Sequence, residues 1–251
     1  MKYILIAFFF SACTGITSRN DAPPVSTEAL DTVKTGPAAI VSTPALFEAA
    51  FVKGTKQTKA GKVFDLYGVT IGNLKIGSGR IVACDPLHVE EYGIPFTQVF
   101  PTGEFPVQVS IARLENEEVA AFARIKFSEE PVATWGFALK EGEKQLPITG
   151  EKMHGYSVDY GRVIFVDEAA SKTLDMDAMT DTDTYPLYKE MDQHYHIDWR
   201  YAMHNFGQHN LAAVTTGFGD GFYPTYVGFD ATGKPCRFLT DFRIFDWKAK
   251  K

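Results

Sequence analysis

Along residues 63–245 the apolar side chains recur at every second position in short runs rich in Val, Ile, Phe and Tyr, and glycines or polar turns end each run. That period and that punctuation belong to strands joined by tight turns. Gly68, Gly72, Gly77 and Gly79 break up the first stretch. Val107, Val109 and Ile111 then alternate with polar or small residues, Glu115-Asn116-Glu117 interrupts, and residues 119–127 resume the run, which predicts a hairpin. Residues 156–166 repeat the arrangement around Gly161, with Ser157, Asp159 and Arg162 in polar positions. Residues 211–215, 222–229 and 237–245 read as further strands, separated by the turn signals of residues 217–221 and of Asp230-Ala231-Thr232-Gly233.

Helices are expected in two places. Thr43-Pro44 looks like an N-cap followed by proline at the first helical position, and Leu46, Phe47, Ala50 and Phe51 form an apolar face before Gly54. Over residues 168–191 the composition turns to Ala, Met, Leu, Lys and Asp, which favours one or two short helices. No repeat of fixed period occurs, so neither a solenoid nor a propeller is expected. The expected fold class is α+β: β-rich, with mainly antiparallel strands and a few peripheral helices.

At the N-terminus Lys2, the apolar residues 3–10 and the small Ser11 and Ala12 precede Cys13. This is the pattern of a bacterial lipoprotein signal, cut so that Cys13 becomes the lipidated first residue. Ordinary signal cleavage and an uncleaved segment are the other readings. The apolar run is roughly half of the ~20 residues that a helix needs to cross the hydrocarbon layer. Residues 14–41, rich in Thr, Ser, Ala and Pro, show no sustained apolar period. The expected organisation is a lipoprotein signal peptide at 1–12, a flexible tether at 13–41 and a single globular domain at 42–251. With 25 basic against 31 acidic residues and a formal net charge of −6, the chain is unsuited to nucleic acid and is repelled by an anionic membrane surface. Membrane attachment is therefore expected through lipidated Cys13, in the cell envelope of a bacterium, with a secreted or periplasmic protein as the alternative. Beyond Cys13 only Cys84 and Cys236 remain, and a disulfide between them and two buried apolar thiols are both open.

Several polar clusters invite chemistry. Gly217-Phe218-Gly219-Asp220-Gly221 is no phosphate loop, because Phe222-Tyr223-Pro224-Thr225-Tyr226 reads as extended where a helix N-terminus is required, and Asp220 repels an anion. A tight turn is expected there, with a ligand-facing Asp220 as the alternative. His194, His196, His204 and His209 lie close to Asp192 and Asp198. In an extended segment His194 and His196 point to one face, as two imidazole ligands of zinc or a similar ion would. Their spacing matches no standard site, so hydrogen-bonded or surface histidines are the preferred reading, and no cofactor is expected. Asp175, Asp177, Asp181 and Asp183 fail the register of a calcium loop, which needs glycine where Thr180 stands. His88-Val89-Glu90 with Pro235-Cys236 lacks the second cysteine of a zinc deaminase, its place being held by Leu239. Ser78, in Gly77-Ser78-Gly79, has the wrong spacing for a nucleophile elbow. Cys84 has Val82, Ala83, Asp85 and Pro86 as neighbours, and burial beside a negative charge opposes thiolate formation. Asp85, Asp159, Asp220 and Asp241 fall at strand or turn ends and would supply an acid/base pair if the fold brought them together. Trp135, Trp199 and Trp247 are expected to be packing residues before they are a carbohydrate platform.

The ordered segments Cys84-Asp85-Pro86, Gly103-Glu104-Phe105-Pro106-Val107, Val158-Asp159-Tyr160-Gly161, residues 217–223 and Asp241-Phe242 together resemble a bacterial family called domain of unknown function 4241. The G-x-G-D-G-x-Y segment followed by Gly228-Phe229-Asp230 and Asp241-Phe242 is the most specific part. The chain departs from the family pattern at Phe105, where Tyr is usual, at Gly136 after Trp135, where Glu is usual, and at Tyr160, where Ala is usual. The resemblance implies domain limits and no established activity. Many relatives lack an export signal, which implies a shared module placed here on a lipid anchor. The leading expectation is thus a cell-envelope lipoprotein that binds another protein or an envelope polymer. The alternative is an envelope hydrolase using the clustered aspartates, with or without a metal ion at His194 and His196.

Overall fold

The computed structural model describes residues 44–248, so the expected signal peptide, tether, Cys13 and the Thr43 cap lie outside the described residues. Helix α1 (Leu46–Ala49) is followed by strands β1 (Thr55–Lys59), β2 (Lys62–Ile76) and β3 (Ile81–Cys84). A 3-10 turn (Pro86–His88) leads into α2 (Val89–Tyr92), and then come β4 (Gly103–Leu114), β5 (Glu117–Lys126), β6 (Thr134–Phe137), β7 (Gly155–Val158) and β8 (Arg162–Asp167). Helices α3 (Glu168–Ser171), α4 (Met176–Met179) and α5 (Pro186–Gln193) precede β9 (Tyr195–His196), β10 (Trp199–Phe206), β11 (His209–Thr215), β12 (Gly221–Phe229) and β13 (Pro235–Asp241). No helix among the described residues is long and apolar enough to cross a membrane.

The strands pair antiparallel in two sheets. The eight-stranded sheet runs β1-β2-β4-β5-β13-β12-β6, with β7 also on β12, and the five-stranded sheet runs β3-β8-β11-β10-β9. Alternation divides each strand between two environments. Val107, Val109 and Ile111 of β4 and Phe238 of β13 share a core with Val163 and Phe165 of β8 and Ala212 and Val214 of β11. The opposite face of the larger sheet, including Leu66, Phe122, Tyr226 and Leu239, packs against Phe47 of α1 and against Ile244 and Phe245. The opposite face of the smaller sheet, including Cys84, Ile164 and Leu211, packs against Met179, Leu187 and Met191 of α4 and α5. The layers are helix, sheet, sheet, helices, the β-rich antiparallel class that the alternation predicts.

The hairpin expected over residues 107–127 forms as β4 and β5, with Glu115 turning at φ 54°. The expected hairpin around Gly161 does not. β7 pairs with β12 while β8 pairs with β3 and β11, so the turn at Gly161 carries the chain from one sheet to the other. Three short helices stand where one or two are expected, and Asp175 caps α4 by accepting the Ala178 N–H at 3.1 Å. The last strand ends at Asp241 and not at residue 245. Cys84 and Cys236 are both buried free thiols.

Candidate binding cleft

One edge of β12 changes partner. Its residues Gly221, Phe222, Tyr223 and Pro224 pair with β7, whereas Tyr226, Val227, Gly228 and Phe229 pair with β6. Between these stretches the Thr225 N–H donates to the His154 carbonyl at 3.2 Å, and the Ala138 N–H donates to the Thr225 carbonyl at 2.9 Å. Glycine is required at Gly155, because a Cβ there would stand 2.1 Å from the Tyr223 carbonyl oxygen. A cleft of about 370 Å³ opens at this seam, with Tyr92, Lys140, Ser157, Asp159 and Phe222 in its walls.

Asp85 shapes one wall. It is 1% exposed, its Oδ1 accepts the Leu87 N–H at 2.8 Å, and its Oδ2 accepts the N–H groups of Asp159 and Tyr160 at 2.9 and 3.0 Å. The carboxylate caps the 3-10 turn and fastens it to the turn after β7, so both oxygens are engaged by the backbone. This attachment sets His88 beside the cleft. Its Nε2 is 3.8 Å from Asp159 Oδ2 and its Nδ1 is 3.7 Å from Glu91 Oε2. The His88 ring also lies against Tyr92 and Tyr160, with centroids 5.5 and 6.2 Å away.

Lys140 supplies the other wall, just beyond β6. Its backbone N–H donates to Glu143 Oε2 at 2.7 Å, and its Nζ lies 6.0 Å from the Phe96 ring centroid. Burial holds its ammonium below the usual lysine range. Cys84 lies behind it, and burial pushes that thiol up to about 12, with Lys140 opposing and Asp85 adding to the shift. A thiol so held is neutral and no nucleophile. The cleft offers one cation, one exposed carboxylate and the rings of Tyr92 and Phe222: the means to hold a polar ligand by its charge, its hydroxyls and its flat face.

The two remaining aspartates do not line this cleft. Asp220 is exposed on the loop of residues 217–221, which packs on the Gly161 turn: a Cβ on Gly161 would be 3.2 Å from Gly219 Cα and 4.0 Å from Asp220 Oδ1. Positive φ at Gly217, Gly219 and Gly221 makes this the expected tight turn, and strand β12 follows it. Asp85, Asp159 and Asp220 therefore surround one turn. Asp241 lies in a separate cavity of about 540 Å³, beneath Tyr226 and Trp247.

His194 and His196 do share a face. His196 stacks on Trp199 at 4.5 Å and His194 on Tyr201 at 4.6 Å, across the β9–β10 ladder. Among the described residues no group of three or more His, Cys, Asp or Glu side chains is placed to hold a metal ion. His204 is bound instead by Glu190, with Nδ1 and Oε2 3.0 Å apart. Trp135 and Trp199 are buried packing residues. Lys140 and Tyr92 carry no motif, and the one sequence signal for Lys140 is a lone charge ending the apolar run Trp135-Gly136-Phe137-Ala138-Leu139.

Fold and cleft together define a β-rich, two-sheet antiparallel domain with a ligand-sized seam between β6 and β7. A family model described as a protein of unknown function (DUF4241) matches residues 74–240, which include Asp85, Lys140 and Asp159. The chain belongs to that family. The comparisons with curated proteins and with solved structures returned no match.

Proposed function

We propose that the chain is a lipid-anchored protein of a bacterial cell envelope whose domain binds an envelope polymer in the cleft between Lys140 and Asp159. The observation that carries this reading is the convergence of three separated segments on one cleft: residues 84–92, the end of β6 and the turn after β7. Lys140 and Asp159 present opposite charges there, and the Tyr92 ring stands in the same wall. The geometry favours binding over hydrolysis. Asp85 is sealed by three amide donors, Asp241 sits in another cavity, and Asp220, on the loop of residues 217–221, does not line the cleft, so none of them faces Asp159 across it as the second carboxyl of an acid/base pair. The anchor at Cys13 keeps the cleft at the membrane that bounds its ligand.

Expression of the full chain in a bacterial host tests both halves. The protein is expected in the membrane fraction, and Cys13→Ala is expected to release it. Detergent-extracted protein is expected to sediment with insoluble, protein-free wall polymer, and Tyr92→Ala to weaken that retention by about tenfold, the worth of one aromatic contact. Protein that stays in the supernatant with polymer present would sink the binding half.

A further inference from the structure

The charges of this cleft are unevenly matched. Glu143, the acid nearest in sequence, is engaged twice: Oε2 accepts the Lys140 backbone N–H at 2.7 Å, and Oε1 faces His154 Nδ1 at 3.1 Å. Asp85 gives both oxygens to backbone amides. Glu91 and Asp159 both face His88. Among the described residues no carboxylate forms an ion pair with Lys140 Nζ. Glu143 is near enough to favour this ammonium yet is not paired with it, and an anion entering the cleft would offset part of the cost of its burial.

The opposite wall has a different character. The Asp159 side chain is 60% exposed and accepts hydrogen bonds without donating any. Tyr92 and Tyr160 are 38% and 56% exposed, and they flank His88. Their negative ring faces attract polarised C–H groups. The cleft, at about 370 Å³, lies at the small end of the range of small-molecule sites, and polar side chains share its walls with aromatic ones.

Resting on the polymer-binding reading above, we propose that the cleft is specific for an acidic saccharide, whose carboxylate pairs with Lys140, whose hydroxyls donate to Asp159 and whose ring lies on Tyr92. Calorimetric titration of the full chain in detergent, with galacturonate oligomers and with neutral glucose oligomers of equal length, tests it. The acidic oligomer is expected to bind about tenfold more tightly, and added salt is expected to erase the difference. Lys140→Met is expected to abolish the preference, with the acidic and neutral oligomers then binding alike. Lys140→Arg is expected to keep the preference, which separates charge from folding. Equal binding of the two oligomers, or a preference that survives Lys140→Met, overturns the saccharide assignment and leaves polymer binding standing. So does failure of both oligomers to bind a protein that still sediments with wall polymer, whereas loss of sedimentation removes both readings.

Discussion

Asp241 is a carboxyl held where charge is unwelcome. It is 3% exposed, with Oδ1 accepting the Arg243 N–H at 2.7 Å and Oδ2 accepting Trp247 Nε1–H at 2.8 Å. Burial pushes its pKa up to about 6, and the two hydrogen bonds pull only partly against it. The folded chain thus holds this proton more tightly than the unfolded chain, whose value is near 3.8. The stability it contributes is full below the unfolded value and is lost as pH rises through the folded one. Between about pH 4.5 and about pH 7.5 this group is expected to remove about 2 kcal/mol. Asp241→Asn, followed by urea denaturation across that window, should gain on the native chain by a similar amount as pH rises. A constant gap between the two would refute the assignment. In sequence Asp85, Asp159, Asp220 and Asp241 are equivalent turn-end aspartates; only the fold separates a sealed fastener, an exposed cleft wall, a loop tip and a buried acid.

At the scale of elements, α1 shows how a segment too short to be stable alone is held in place. Phe47 is fully buried among the rings of Phe122, Trp135, Tyr226 and Trp247. Glu48 accepts from Arg124 Nη1 at 2.9 Å and from Arg237 Nε at 3.2 Å, joining the helix to β5 and β13. Glu48→Ala would leave two buried guanidinium groups without a carboxylate. Because Glu48 is 39% exposed, the expected loss is about 1–3 kcal/mol, below that of a fully buried pair. Denaturant midpoints at unchanged slope measure it, and a loss under about 0.5 kcal/mol would show that Phe47 alone fixes the helix. The apolar face of α1 was legible in Leu46, Phe47 and Ala50, as was the β4–β5 hairpin in its alternation and its Glu115-Asn116-Glu117 turn. The Gly161 turn was misleading, because alternation records which side chains are half-buried and not which strand becomes the partner. For the same reason the seam that makes the cleft was invisible: it exists only where β12 exchanges one neighbour for another.

For the molecule as a whole, the layering decides the fate of the thiols. Cys84 lies under the helices covering the smaller sheet, and Cys236 is in the larger sheet, where its thiol donates to the Gly228 carbonyl at 3.4 Å. In a Cys13→Ala background the chain should show no reactive thiol when folded and two when unfolded, and a reductant should leave its melting temperature unchanged. A reductant-dependent fall would mean that a bridge forms after all. The sequence favoured buried thiols without excluding a bridge, since two cysteines so far apart carry no geometry.

The strand order also constrains when this molecule can exist. β13 lies between β5 and β12, and β6 reaches the larger sheet only through β12, so the middle of that sheet is filled by the last strands to be synthesised. Its register therefore awaits residues 221–241, and a pairing as distant in sequence as that of β5 with β13 forms slowly. A nascent chain of this topology cannot complete its larger sheet until its C-terminal strands emerge, so both flanks of β13 wait on the end of synthesis.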